Sequence, residues 1–496
     1  MKSKLNLLTL LTCLLGVFSC SNSSSKPEIR LTDKVIVSNY IGNGAQWDPY
    51  DEAIAWGCEL TDKHWDKLLT RVEFMKMGFV RCLINSPYTY YDAETNSYDK
   101  NRNNQSILRL LQFCTDNNIT VLFGEYNPPK WEMKQSQQWV EWAVDYLNYL
   151  VVEKGMSCIK YYNFFNEPDG AWASTDGDYE MWLDMFNRFH AKMQEYPELV
   201  GKVEMAGPDA VIGYKNPKSA FDAVGWVAET AKRVDDKIGL YDVHAYPGQH
   251  AVRSGKMREE LKKYVAVTPT DKPIVLGEAG YKYYDKEDAH LAAEYQKRCV
   301  NHPFTKGSDC NMLVYDYFYG LDMPLLCMSA MNVGYSGMAV WMMDDAMHSN
   351  GDSGKIEDVK LWGFWNTLGE DVFNDASQEE IRPWFFSFSL MSRYFPGNCK
   401  IMEVVLPELE GVYASANIVS DGSKTVSLVN FSDNDYTISL KDFDMSNAKE
   451  YDYIENKLKV DKNGLPLPTR EGVELKKSET ISLPKQSFKL ITNNKY

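Results

Sequence analysis

From about residue 35 to residue 343 the chain alternates short apolar runs with amphipathic stretches of helical period. This alternation constrains the fold more than any other feature. Strand and helix repeated in turn build a parallel sheet with helices packed against it. Strands are expected at 79–84, 120–123, 160–166, 203–206, 239–244, 274–277 and 337–341, with a first strand somewhere within 41–47. Helices are expected at 62–77, 105–117, 135–153, 179–195, 219–233, 257–264 and 287–301, with a closing helix at 382–395. Eight such units in series imply a closed (β/α)8 TIM barrel rather than an open sheet.

From about Cys399 the period changes. Short alternating runs appear at 412–416, 426–430 and 488–491, punctuated by the turn signals Asp421-Gly422 and Asn463-Gly464. This pattern reads as a C-terminal antiparallel β-sandwich domain, to which residues 34–40 would add a strand. The start of the chain reads as a targeting segment. Lys2 and Lys4 precede an apolar run at 5–18, which is shorter than the roughly 20 residues a spanning helix needs. The run ends in Val17-Phe18-Ser19-Cys20, which resembles a bacterial lipobox with Cys20 as the lipidated residue. The expected division is a lipoprotein signal at 1–20, a polar tether at 21–34, a catalytic barrel at 35–397 and the sandwich at 398–496. That implies an exported lipoprotein of the bacterial cell envelope, on the outer membrane surface or its periplasmic face, touching the membrane only through the lipid on Cys20. Ordinary secretion with cleavage nearby is the alternative.

A net charge of −16 argues against a nucleic-acid partner, which needs clustered Lys and Arg. No Cys-x-x-Cys or Cys/His cluster occurs, so neither a metal nor a cofactor is expected, and Cys82 and Cys158 read as core thiols. The 13 Trp and 31 Tyr suit both core filling and the flat faces of sugar rings.

Two of the expected strands finish on a carboxylate. The run 159–167 ends in Asn166-Glu167 before Pro168, and the run 273–278 ends on Glu278. The C-terminal strand ends of a barrel are where active sites sit. Two carboxylates there are what glycosidic bond cleavage requires: one protonates the leaving oxygen, and the other attacks the anomeric carbon or activates water. A lone strand-end Glu is as often an ion pair or a helix cap.

The surrounding residues resemble the clan A retaining glycoside hydrolases, over roughly residues 35–395. Members share an Asn-Glu pair, often followed by Pro, at the end of strand four, matched by Asn166-Glu167-Pro168. They place a nucleophilic Glu at the end of strand seven, matched by Glu278. Many carry Arg on strand two, here Arg81. The family 5 branch has a His-x-Tyr on strand six, here His244 and Tyr246, and a Trp ends strand eight, here Trp341. The family 5 His at the end of strand three is absent, and Glu125 or Asn127 stands in its neighbourhood. The sandwich after the barrel is more typical of families 30 and 39.

The resemblance implies a carbohydrate substrate and assigns roles. Glu167 is the acid/base and Glu278 the nucleophile. Arg81 keeps Glu278 charged, Tyr246 orients it, and Asn166 holds the sugar 2-OH. His244 positions Glu167 or a hydroxyl, and Trp341 stacks under the ring. Trp131, Trp172 and the loop 344–380 are candidates for further subsites, and Asp344-Asp345 reads as a solvated loop pair. A surface glycan-binding lipoprotein without turnover and a transglycosylase remain as alternatives.

Overall fold

The computed structural model describes residues 26–302, 310–349, 351, 353–476 and 478–495. The signal segment and Cys20 lie outside the described residues.

Eight parallel strands form the barrel sheet. In chain order they are Gly42–Ala45, Phe79–Ile84, Thr120–Glu125, Ile159–Asn163, Glu204–Val211, Ile238–Ala245, Ile274–Ala279 and Gly337–Val340. Closure between the first and second strands comes from a parallel bridge of Gln46 with Arg81 and from the Trp47 N–H donating to the Arg81 carbonyl at 2.9 Å. The expected strands are all present. The first is the least apolar, Gly-Asn-Gly-Ala, because it lies hard against its neighbour: a Cβ on Gly44 would sit 1.8 Å from the Phe79 carbonyl oxygen. Inside the barrel, Phe79, Leu122, Ala206, Leu240, Val275 and Ala339 form a dry plug contributed by six strands. The mouth above that plug carries the polar residues.

The helices follow from their apolar stripes. Asp62–Met75 buries Trp65, Leu68, Val72 and Met75, and starts with a capping box in which Thr61 and His64 satisfy each other's backbone N–H groups. Tyr319–Val333 is apolar on all sides because the barrel lies on one flank and the sandwich on the other. Pro383–Tyr394 closes the barrel, with Pro at its first turn.

The eight strands after residue 399 and one N-terminal strand form one nine-stranded sheet folded into a sandwich. Its own apolar core includes Ile29, Leu31, Leu428, Ile438, Leu440 and Ile491. The N-terminal strand runs Glu28–Val37 and lies inside this sheet, antiparallel to Lys400–Val405 and parallel to Tyr436–Lys441. Residues 28–34 therefore belong to the sandwich rather than to a tether. Alternate side chains at Ile29 and Leu31 point into its core, a period-two signal that the neighbouring polar residues obscure in the sequence. The two bodies meet through stacked Tyr317 and Tyr453, with ring centroids 4.5 Å apart, and through a 2.6 Å hydrogen bond between the Tyr394 and Tyr451 hydroxyls.

Candidate active site

The fourth and seventh strands deliver Glu167 and Glu278 to opposite sides of the barrel mouth. Asn163 ends the fourth strand, and Glu167 follows with φ of +48°, a left-handed backbone that non-glycine residues rarely adopt. Its backbone N–H contacts Asp209 Oδ2 at 3.3 Å, which holds that turn. One carboxylate oxygen of each glutamate and a ring nitrogen of His244 lie within 4.8 Å of one another.

Glu278 is enclosed by donors. Arg81 Nη1 donates to Oε1 at 2.6 Å and the Tyr246 hydroxyl donates to Oε2 at 2.6 Å. Burial opposes its ionisation, but the His244 ring, the Arg81 guanidinium and the Tyr246 hydroxyl outweigh burial and hold the carboxyl below its usual range. Glu167 accepts from His244 Nδ1 at 2.8 Å and from Trp172 Nε1 at 2.6 Å.

Arg81 is fully buried and links the site. Besides Glu278 it donates to Gln46 Oε1 at 2.9 Å, Asn166 Oδ1 at 2.7 Å and Asp209 Oδ2 at 2.8 Å. His244 sits between Glu167 and Asp209, its Nε2 3.1 Å from Asp209 Oδ1. Burial alone would discharge this ring, but Asp209 and Glu278 raise it well above an ordinary imidazole. Asp209 is held well below the usual carboxylate range, because Arg81 and His244 outweigh its burial. Neighbouring Asp242 is pushed well up by burial and by Asp209. Asp242 accepts the Gly277 N–H at 2.7 Å, and only glycine fits there: a Cβ would meet the carboxylate at 2.2 Å.

The cleft above these groups has a volume of about 770 Å³. Asn127, Asn166, Tyr246, Trp341 and both glutamates line it, as expected, together with Trp172, Tyr214, Lys282, His348, Lys360 and Trp362. Asn127 offers a buried Oδ1 with no partner among the described residues. Trp341 is almost covered. His348 lies parallel to it at 5.7 Å between ring centroids, and Lys360 Nζ is 5.4 Å from its ring.

Two readings that the sequence left open resolve away from the cleft, and a third, the solvated Asp344-Asp345 pair, fails. Glu125 turns away from the mouth to accept from the Tyr90 hydroxyl at 2.8 Å and Trp139 Nε1 at 3.2 Å, and burial pushes its carboxyl up to about 8. Trp131 is exposed but does not line the cleft. Asp344 and Asp345 are buried rather than solvated: Asp344 accepts from the Tyr50 hydroxyl and Trp365 Nε1, each at 3.1 Å, and Asp345 pairs with Arg382. Sequence reasoning also missed Asp48, Asp209 and Asp242. Nothing in spacing flags Asp209 or Asp48. Asp242 stands two residues before His244 on a strand where alternate residues share a face, and that period was the available signal.

No protein-family model matches this chain, and no curated protein sequence does. Solved structures do resemble it. The catalytic domain of GH30 xylanase C from Talaromyces cellulolyticus superposes with a TM-score of 0.63 at 14% identity, covering 94% of this chain and 99% of that one. A conserved exported protein from Bacteroides fragilis gives 0.64 at 12% identity, covering 94% and 100%. A family 51 α-L-arabinofuranosidase from Bifidobacterium longum gives 0.59 at 12%, covering 94% and 100%. The barrel with its sandwich is thus the fold of these glycoside hydrolase structures. The first and third of the three belong to families 30 and 51, and identities this low concern the fold alone.

Proposed function

We propose that this chain is a retaining glycoside hydrolase that cleaves β-glycosidic bonds in an oligo- or polysaccharide. The observation that carries this reading is the glutamate pair with oxygens within 4.8 Å across one cleft. Retaining enzymes hold their carboxyl groups about 5–5.5 Å apart, and inverting ones hold them about 6.5–9.5 Å apart to admit a water.

In the first step Glu278, kept ionised by Arg81 and Tyr246, attacks the anomeric carbon. Glu167 gives its proton to the leaving oxygen, and a covalent glycosyl–enzyme forms. The leaving oxygen takes the position held by the Trp172 N–H. In the second step a water gives its proton to Glu167 and its oxygen bonds to the anomeric carbon as the Glu278–sugar bond breaks. Asn166, fixed by Arg81, faces the sugar beside Glu278 and suits its 2-OH. Asn127, with its open acceptor, suits a second hydroxyl.

The test is reducing-sugar release from β-linked plant, fungal and host glycans by wild type and by Glu278→Gln. Release that disappears in the variant supports hydrolysis, and a first-formed β anomer by NMR supports retention. A first-formed α anomer would sink the double displacement. Tight retention on a glycan gel with no release from any substrate would replace the enzyme with a binding protein. Release mostly as longer chains would make it a transglycosylase. The same proposal includes export with a lipid on Cys20, and uptake of radiolabelled palmitate checks it: a wild type that takes up no label, or a Cys20→Ala variant that takes up as much, rules the lipid out.

A further inference from the structure

The way the cleft ends says where along a glycan chain it acts, and this inference rests on the glycosidase reading above. Glu167 protonates the leaving oxygen, so the leaving part of the substrate lies along its side of the mouth, by Trp172 and Tyr214. The sugar that is attacked lies across Glu278, toward Trp341 and His348. Whatever stands behind His348 decides whether further sugars can follow on that side.

That space is filled. The loop after the eighth strand is fastened to the short helix Asp51–Ala55, which follows the first strand. Buried Glu52 accepts the backbone N–H groups of Ser349 and Gly354, each at 3.1 Å, and also the Ser349 hydroxyl. His348 Nε2 is 2.6 Å from Asp48 Oδ2. Gly354 lies so close that a Cβ would sit 3.1 Å from both Ala55 Cβ and the Tyr88 hydroxyl. Behind His348, among Asp48, Glu52, Leu83 and Tyr88, the remaining void is about 10 Å³. That is at the limit for one water, far short of a sugar ring. None of the residues lining the main cleft comes from the loops after the first two strands. Away from the Trp341–His348 wall the cleft stays open. A further hollow of about 290 Å³, lined by Ile212, Tyr246, Met257, Lys282 and Tyr284, adjoins it and shares several of its walls.

We propose that the site is an exo-acting one, seating one terminal glycosyl unit of a β-linked chain against the Trp341–His348 wall and releasing it from the non-reducing end. Water supplies the oxygen on the released sugar and the proton on the shortened chain's new hydroxyl.

The test uses β-linked gluco-, xylo-, manno- and galacto-oligosaccharides of increasing length, labelled at the reducing end. Wild type should release only monosaccharide at the earliest times, shortening each labelled chain one unit at a time. Labelled fragments several units shorter as first products overturn the inference while leaving hydrolysis intact. Silence on every substrate overturns the hydrolase reading, and this inference with it. Glu52→Gln keeps its shape but loses its charge, and it should lose strict monosaccharide release on the same chains. If that variant misfolds, the wild-type product ladder decides alone.

Discussion

Two residues in the site hold left-handed backbone without being glycine: Glu167 at φ +48° and Asp209 at +65°. Such conformations cost on the order of 1–3 kcal/mol and persist only where the surroundings over-determine them. Asp209 is what over-determines both, through Arg81, His244 and the Glu167 N–H. Asp209→Asn should therefore fold normally by circular dichroism yet lose activity by up to about a hundredfold, the scale of a misplaced reacting group. The loss should fall on kcat rather than KM, and an unchanged kcat removes Asp209 from this role. Glu167→Gln should cost about 10²- to 10⁴-fold on substrates with poor leaving groups, as loss of a general acid does, and much less on aryl glycosides with good ones. Tyr246→Phe tests the nucleophile's charge. The hydroxyl favours ionised Glu278, so without it the carboxyl titrates higher. The acid limb of kcat/KM should then move to higher pH, and a limb that stays put assigns Tyr246 to packing. Arg81, Asn166 and Glu278 were legible because each stands at a fixed place within or just after an apolar strand. Asp209 was not, because its strand runs on through Gly207-Pro208 and gives no polar landmark at its end. Glu125 misled for the opposite reason: its strand position is right, but its side chain points out to Tyr90.

At the scale of elements, seven strands could be read from apolar runs, because buried parallel strands are apolar on both faces. The first could only be inferred by counting, since close approach had replaced its apolar residues with glycines. The loop after the eighth strand was legible as a long insertion, but its anchorage was not, because His348 and Ser349 stand some 300 residues from their partners Asp48 and Glu52. That anchorage carries a pH signature. The carboxylates of Asp48 and Glu52 outweigh burial and raise His348 from 6.5 to about 9. A group raised on folding stabilises fully below its unfolded value and loses that contribution as pH rises through its folded one. Wild type should thus be more heat-stable than His348→Asn below about pH 6.5, with the difference fading toward pH 9. Melting curves across that range decide it, and a gap that is constant with pH removes the charge from the account.

For the whole molecule, the sandwich and barrel share a wall of tyrosines and the helix Tyr319–Val333, so thermal unfolding should be one transition rather than two. The N-terminal strand is the seam. It has neighbours on both sides, and Ile29 is fully buried in the sandwich core. Ile29→Ala should cost about 2–5 kcal/mol in chemical denaturation, the usual range for such a deletion in a packed core. A loss below about 1 kcal/mol would mean that the strand is dispensable.

The order of synthesis gives that strand a further significance. Residues 28–37 emerge early, yet their partners at 400–405 and 436–441 are made more than 360 residues later. While the barrel is being assembled, an unpaired strand with two open edges waits for residues 400–441, and such edges invite pairing with other chains. A newborn copy therefore passes through a period of exposure that ends only once residues 400–441 have emerged. Slowing the ribosome late in the message should lower soluble yield more than slowing it early.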